Sequence, residues 1–140
     1  MLSKCKLLNC MVEIDREKTE QWYAQAEDWG CECGDCANFL EVAKQNLLPS
    51  HISKLLESLH IPPTKATYAC LLNSENLYEF SYRIAGNILF AESEWEQDGR
   101  CYHEWYPYGA PDFPTPHFDI EFVVELPRVL GDDSIKTTAR

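Results

Sequence analysis

Three cysteines, Cys31, Cys33 and Cys36, fall within six positions of the stretch Trp29–Phe39, which also carries Gly30 and Gly34. Thiolates are soft ligands that suit zinc, Cu(I) or iron–sulfur centres. Spacings of two and three residues on a Gly-containing turn can converge three sulfurs. A structural zinc site needs a fourth ligand, and the candidates are Cys101 and His103, or Cys5 and Cys10. The commoner zinc pattern has two C-x-x-C halves, and the second half is missing here. The competing reading is three reduced thiols in a tight turn, with Cys36 packed as a small apolar residue. Cys33-Gly34-Asp35-Cys36 is also a C-x-x-C ahead of a helix, a placement that lowers a thiol pKa. A redox enzyme of the thioredoxin kind would set that motif between a first strand and a helix. Here a helix precedes it, and Glu32 and Asp35 oppose thiolate formation.

Other residues could do chemistry elsewhere. Cys101 and His103, two apart on one strand, could pair as nucleophile and base. His51 and His60 read as helix-end residues in cap or solvated roles, and His117 follows a proline loop. Glu92, Glu94 and Glu96 with Asp98 could bind a divalent cation or a basic partner, although a charged, solvated edge strand explains them as well. Residues 102–114 hold five aromatics stiffened by Pro107, Pro111 and Pro114. Such a loop makes a preorganised contact surface, or it folds back over an open sheet face and its rings complete the core. The second reading is favoured, because a small sheet needs a cover. The chain has no G-x-G-x-x-G, P-loop, G-x-S-x-G or H-E-x-x-H.

The elements that must position these residues follow from period and punctuation. Leu8, Cys10, Val12 and Ile14 alternate with polar or flexible neighbours, so residues 5–14 read as one half-buried strand. Asp15 is a helix N-cap, and residues 16–28 form a helix with Trp22, Tyr23 and Ala26 inward. Asp35 caps a helix over 36–46, with Cys36, Phe39, Leu40, Ala43 and Leu47 on one side. Pro49-Ser50 start the next, whose Ile52, Leu55, Leu56 and Leu59 follow the helical stripe until Pro62-Pro63 stop it.

The second half has a period of two. Residues 66–72 and 77–90 read as strands, with Gly86 marking a bulge or a close backbone approach. Asp98-Gly99 reads as a hairpin turn that sets Glu96 opposite Cys101 and Glu94 opposite His103. Residues 118–126 alternate Phe118, Ile120, Phe122, Val124 and Leu126 inward with Asp119, Glu121 and Glu125 outward. The fold expected is α+β: a two-layer sandwich with N-terminal helices on a mostly antiparallel sheet of four to five strands. Residues 1–130 make one domain and 131–140 a flexible tail.

Trp29-Gly30-Cys31-x-Cys33-Gly34-x-Cys36-x-Asn38-Phe39, then Leu59-x-Ile61-x-Pro63-x-Lys65-Ala66, Gly86 in its aromatic strand, and Leu126-Pro127-x-Val129-Leu130 together resemble a family of small uncharacterised bacterial proteins. In that family an arginine precedes the Asn-Phe pair and a second tryptophan sits in the terminal motif; here those positions are Ala37 and Arg128. The resemblance implies a bacterial, cytosolic setting and no mechanism.

Composition bounds the partners. The 140-residue chain carries a net charge of −11, which repels phosphate backbones and anionic lipid surfaces and admits a basic protein partner or a cation. No secretory signal or membrane span is visible, so a cytoplasmic location is expected. There, seven cysteines are expected as thiols or metal ligands rather than disulfides. The function expected is a non-enzymatic binding domain with a structural cysteine turn able to hold zinc. A thiol-dependent enzyme and an acidic inhibitor or immunity-type protein are the alternatives.

Overall fold

A computed structural model of the chain describes residues 2–30, 33–73, 75–91 and 95–130. The order of elements is β1 (Leu2–Leu7), β2 (Cys10–Asp15), α1 (Arg16–Gln25), α2 (Gly34–Lys44), α3 (Ser50–Ser58), a 3-10 turn (Pro63–Lys65), β3 (Tyr68–Leu71), β4 (Leu77–Ala91), β5 (Gly99–Tyr102) and β6 (His117–Glu125). The α+β expectation holds: helices pack on an open antiparallel sheet. Among the described residues the sheet has six strands rather than four or five, in the order β1-β2-β4-β6-β5, with β3 also paired to β4.

The extra strand comes from the N-terminus. Residues 5–14 are not one strand but part of a hairpin, with Leu7 opposite Cys10. Leu8 takes a left-handed φ of 52° at the turn. Asn9 supports the turn from its side chain, whose Oδ1 accepts from Cys10 Sγ at 3.3 Å and from Cys101 N at 3.4 Å. Asp15 caps α1 as expected, accepting from Lys18 N at 3.0 Å. This bond holds its carboxyl below the ordinary aspartate value.

β4 is the spine. β6 runs along one edge from Leu77 to Ala85; β3 and then β2 share the other. Gly86 lies where β2 crosses: its φ is +145°, and a Cβ there would sit 2.0 Å from Glu13 O. The expected close backbone approach is therefore what this glycine provides.

The inner face of the sheet is apolar. Tyr78, Phe80, Tyr82 and Ile84 of β4 and Phe118, Ile120 and Phe122 of β6 are fully buried in one cluster with Tyr23, Phe39, Val42, Ile52 and Leu56 of the helices. Each large apolar side chain contributes roughly 1.5–3 kcal/mol on burial. The tyrosine hydroxyls are satisfied by backbone: Tyr23 donates to Arg83 O at 2.8 Å, Tyr78 to Asp35 O at 2.9 Å and Tyr82 to Pro63 O at 2.6 Å. The α3 stripe matches the sequence pattern. On α2, Val42 and Asn38 are buried instead of Leu40 and Leu47.

The hairpin before β5 turns one residue earlier than expected. Gln97 and Asp98 hold the two positive φ angles, and Glu96 pairs with Gly99. The expected pairing of Glu96 with Cys101 is thus wrong, and that of Glu94 with His103 lies outside the described residues. Gly99 is a glycine for space, since a Cβ would meet the Phe122 ring at 2.8 Å and Leu8 at 3.0 Å.

Candidate functional site

The cysteine turn is a helix start. Cys33, not Asp35, is the N-cap of α2, and its Sγ accepts from Cys36 N at 3.3 Å. Asp35 sits in the first turn, where its carboxylate takes Arg128 Nη2 at 3.4 Å. Cys33 is exposed, while Cys36 is buried with its thiol 3.9 Å from Ala69 O on β3. Cys31 lies outside the described residues.

The proposed partners of the turn sit elsewhere. Cys101 is on β5, three strand steps from β3 across β4 and β6, or about 14 Å at the usual strand spacing. Its thiol donates to Leu7 O at 3.5 Å and meets Cys10, with Cys5 close by. Burial pushes the Cys101 thiol well up, and the Cys10 neighbour adds to this. It is held as a protonated core thiol, a poor nucleophile. His103 stacks on Trp105, with ring centroids 6.2 Å apart. Thus the structure sets Cys101 against Cys10 beside the β1–β2 turn and does not bring Cys101 or His103 to the cysteine turn. Among the described residues, no group of three or more His, Cys, Asp or Glu side chains is placed to hold a metal ion.

What the turn does position is Asn38. This buried side chain donates from Nδ2 to Pro127 O at 3.0 Å and to Tyr78 Oη at 3.3 Å. Its Oδ1 accepts from Val129 N at 2.9 Å and Leu130 N at 3.0 Å. The Asn-Phe pair and the Leu-Pro-x-Val-Leu segment, far apart in sequence, are therefore one structural joint. Arg128 closes it from outside on Asp35 and Asn76.

The outer face of the sheet holds the less expected feature. Asp119 and Glu121 alternate with the apolar residues of β6, yet both are buried rather than solvated, as are Arg83 and Ser81 of β4. Arg83 Nε donates to Asp119 Oδ1 at 2.7 Å, both side chains being 1% exposed, and its Nη2 donates to Tyr106 O at 2.7 Å. Arg100 of β5 pairs with Glu121 at 3.0 Å, its guanidinium lying between the rings of Trp95 and Tyr102 at 4.9 and 4.8 Å. Burial, reinforced by Glu104 and Glu121 and opposed by Arg83, pushes Asp119 up to about 6. Burial and Glu121 raise Glu79 as well. The Tyr102 phenol is pushed up by burial and by the Asp119 and Glu121 carboxylates.

The 102–114 loop divides in two. Its far end completes the core as expected: Phe113 is buried against Trp22 and Tyr23. Its near end does not: Trp105 is 86% exposed, Tyr106 69% and Tyr108 45%. The backbone there is nonetheless fixed, since Glu104 Oε2 accepts from Trp105 N at 3.0 Å and Tyr106 N at 3.3 Å, above the Arg83 bond.

No protein-family model matches the chain, and no curated protein or solved structure matches it. Among the described residues, no helix is long and apolar enough to cross a membrane. His51 reaches the β5 hairpin, within 3.0 Å of Gln97 O and 3.3 Å of the Asp98 carboxylate. Glu92 and Glu94 lie outside the described residues. The arrangement offers contact chemistry: exposed rings on a fixed backbone, set among carboxylates.

Proposed function

We propose that this chain is a non-enzymatic binding domain of the bacterial cytoplasm, and that its outer face and 102–114 loop meet a basic protein partner. The observation that carries the reading is the pair Trp105 and Tyr106. They are the most exposed large hydrophobic side chains among the described residues, on a backbone pinned by a buried arginine and by Glu104. Aromatic side chains carried on a backbone that is held in advance cost less ordering on binding. A net charge of −11 steers a cationic partner toward them. An acidic inhibitor filling a basic cleft is the tight-binding form of the same reading.

Binding of arrayed basic and acidic peptides to the purified protein tests this. Basic peptides are expected to bind, more weakly as salt rises, and less well to Trp105→Ala and Tyr106→Ala. Catalytic turnover lost on changing Cys33 or His103 would overturn it. The cysteine turn enters the reading as a structural element. Zinc on Cys31, Cys33 and Cys36 is the form in which it makes binding energy into folding energy. Elemental analysis of protein purified under reducing conditions decides that point: near one zinc per chain, lost with stability in Cys33→Ser, against no zinc and a normally folded variant.

A second reading, thiol chemistry at the turn, draws on one observation: exposed Cys33 at the start of an 11-residue helix with Cys36 buried behind it. Rapid alkylation of Cys33 alone is its signature, and uniformly slow alkylation of all thiols sinks it.

A further inference from the structure

A groove of about 830 Å³ runs between the end of α1 with the 26–30 segment that follows it and the 108–112 stretch of the loop. The rings of Trp22, Trp29 and Tyr108 line it, together with the carboxylates of Glu27, Asp28 and Asp112, and no lysine, arginine or histidine does so among the described residues. Its walls are fixed. Trp22 Nε1 donates to Pro111 O at 3.1 Å. Trp29 N donates to Thr64 O at 2.9 Å, and its ring packs edge-on to Tyr68 and so close to Gly109 that a Cβ there would lie 3.0 Å away. Tyr108 packs on Tyr68 with centroids 4.8 Å apart.

The carboxylates are free to act outward. Asp28 Oδ1 accepts from Thr64 Oγ1 at 2.7 Å, which fixes the carboxylate and leaves its second oxygen. Glu27 and Asp112 are exposed on opposite banks, and neither side chain has a hydrogen bond or ion pair among the described residues. Aromatic faces beside unpaired carboxylates attract an organic cation by quadrupole and by charge together. The chain builds such a site for its own Arg100, which lies between Trp95 and Tyr102 and pairs with Glu121.

We propose that the groove receives an arginine side chain of the basic partner, the guanidinium stacking on the tryptophan rings and pairing with Glu27 and Asp112. The inference rests on the basic-partner reading above and assigns its anchor. Arginine fits better than lysine because a planar, weakly hydrated fork can stack and pair at once, whereas an ammonium is a compact hydrated charge.

The test titrates tryptophan fluorescence with three peptides that differ at one position, arginine, lysine or citrulline, against the wild-type chain, Glu27→Gln/Asp112→Asn and Trp105→Ala. The arginine peptide is expected to bind tightest. The double variant, which keeps the groove's shape, is expected to weaken it about five- to tenfold, as two solvent-exposed ion pairs allow, with an unchanged melting temperature. Equal binding of the citrulline peptide overturns the inference. So does full affinity in the double variant. If affinity is then lost only in Trp105→Ala, the basic-partner reading stands and the groove is not its anchor. If no basic peptide binds the wild type, both fall.

Discussion

The two faces of one sheet are buried by opposite means. On the inner face, Phe80, Tyr82, Phe118 and Phe122 are sealed against helices by apolar contact. On the outer face the residues between them, Ser81, Arg83, Asp119 and Glu121, are sealed just as well but by ion pairs and a loop. The inner face is what hydrophobic burial predicts. The outer face takes three charged side chains, Arg83, Asp119 and Glu121, out of water, an arrangement that apolar residues of similar volume often match or better in stability. Arg83 does one thing an apolar residue cannot: it donates to the Tyr106 carbonyl and so places the exposed rings. The inner face is closed by apolar packing, whereas the outer face is closed by charges that also fix the backbone of an exposed aromatic loop.

The widest break in that comparison comes from removing one residue on each side. Phe80→Ala is expected to cost about 3 to 5 kcal/mol through the cavity it leaves. Arg83→Met alone should cost a similar amount, because Asp119 is left buried without its partner. Only the outer face should forgive a second change: Arg83→Met/Asp119→Leu is expected to recover most of that loss in urea unfolding while weakening binding of basic peptides. A double variant as unstable as the single one would make the polar layer structural.

A smaller effect, on the order of 2 kcal/mol, should come from pH. Asp119 sits at about 6 in the folded chain against an ordinary 3.8. The folded state therefore holds that proton more tightly than the unfolded one. The stabilisation is fully present below about pH 4 and is lost as the pH rises through 6. Glu79, raised by burial and by Glu121, acts in the same direction. Asp15 acts in the opposite sense: its lowered value gives stability present above its ordinary range and lost on acidification below it. Urea unfolding across pH 4 to 7 should show the loss in the wild type and a much smaller one in Arg83→Met/Asp119→Leu. Equal slopes in the two chains would remove Asp119 from the account.

The inner face was readable from sequence and the outer face was not, for physical reasons. Apolar alternation on β4 and β6 and the stripe of α3 report burial against other apolar groups, which is what periodicity measures. The same alternation assigns Asp119 and Glu121 to solvent, because it cannot see a loop that returns over them or an arginine one strand away. The β1–β2 hairpin was missed because its turn has no glycine. The available signal was Asn9, whose side chain braces a positive φ at Leu8. Gly99 misled the turn assignment, since it is needed for space against Phe122 rather than for backbone conformation. In the candidate site, the cysteine motif drew attention to its sulfurs. Its buried anchor is instead Asn38, visible only once the 127–130 segment lies beside it.

The smallest expected change in stability is the most telling for the outer face. Trp105 is 86% exposed, and its described contact is the His103 ring at 6.2 Å. The bonds that fix its backbone come from Glu104, so they survive truncation of the indole. Trp105→Ala should therefore leave unfolding within about 0.5 kcal/mol of the wild type. On the proposed contact reading the ring acts in a complex, where an anchoring tryptophan is worth about 2 kcal/mol or more, roughly thirtyfold in affinity. Calorimetric unfolding and peptide titration of this single variant separate the two faces. Unchanged stability with lost binding assigns the loop to contact, whereas lost stability with unchanged binding would return Trp105 to the fold and leave the outer face with no partner to explain it.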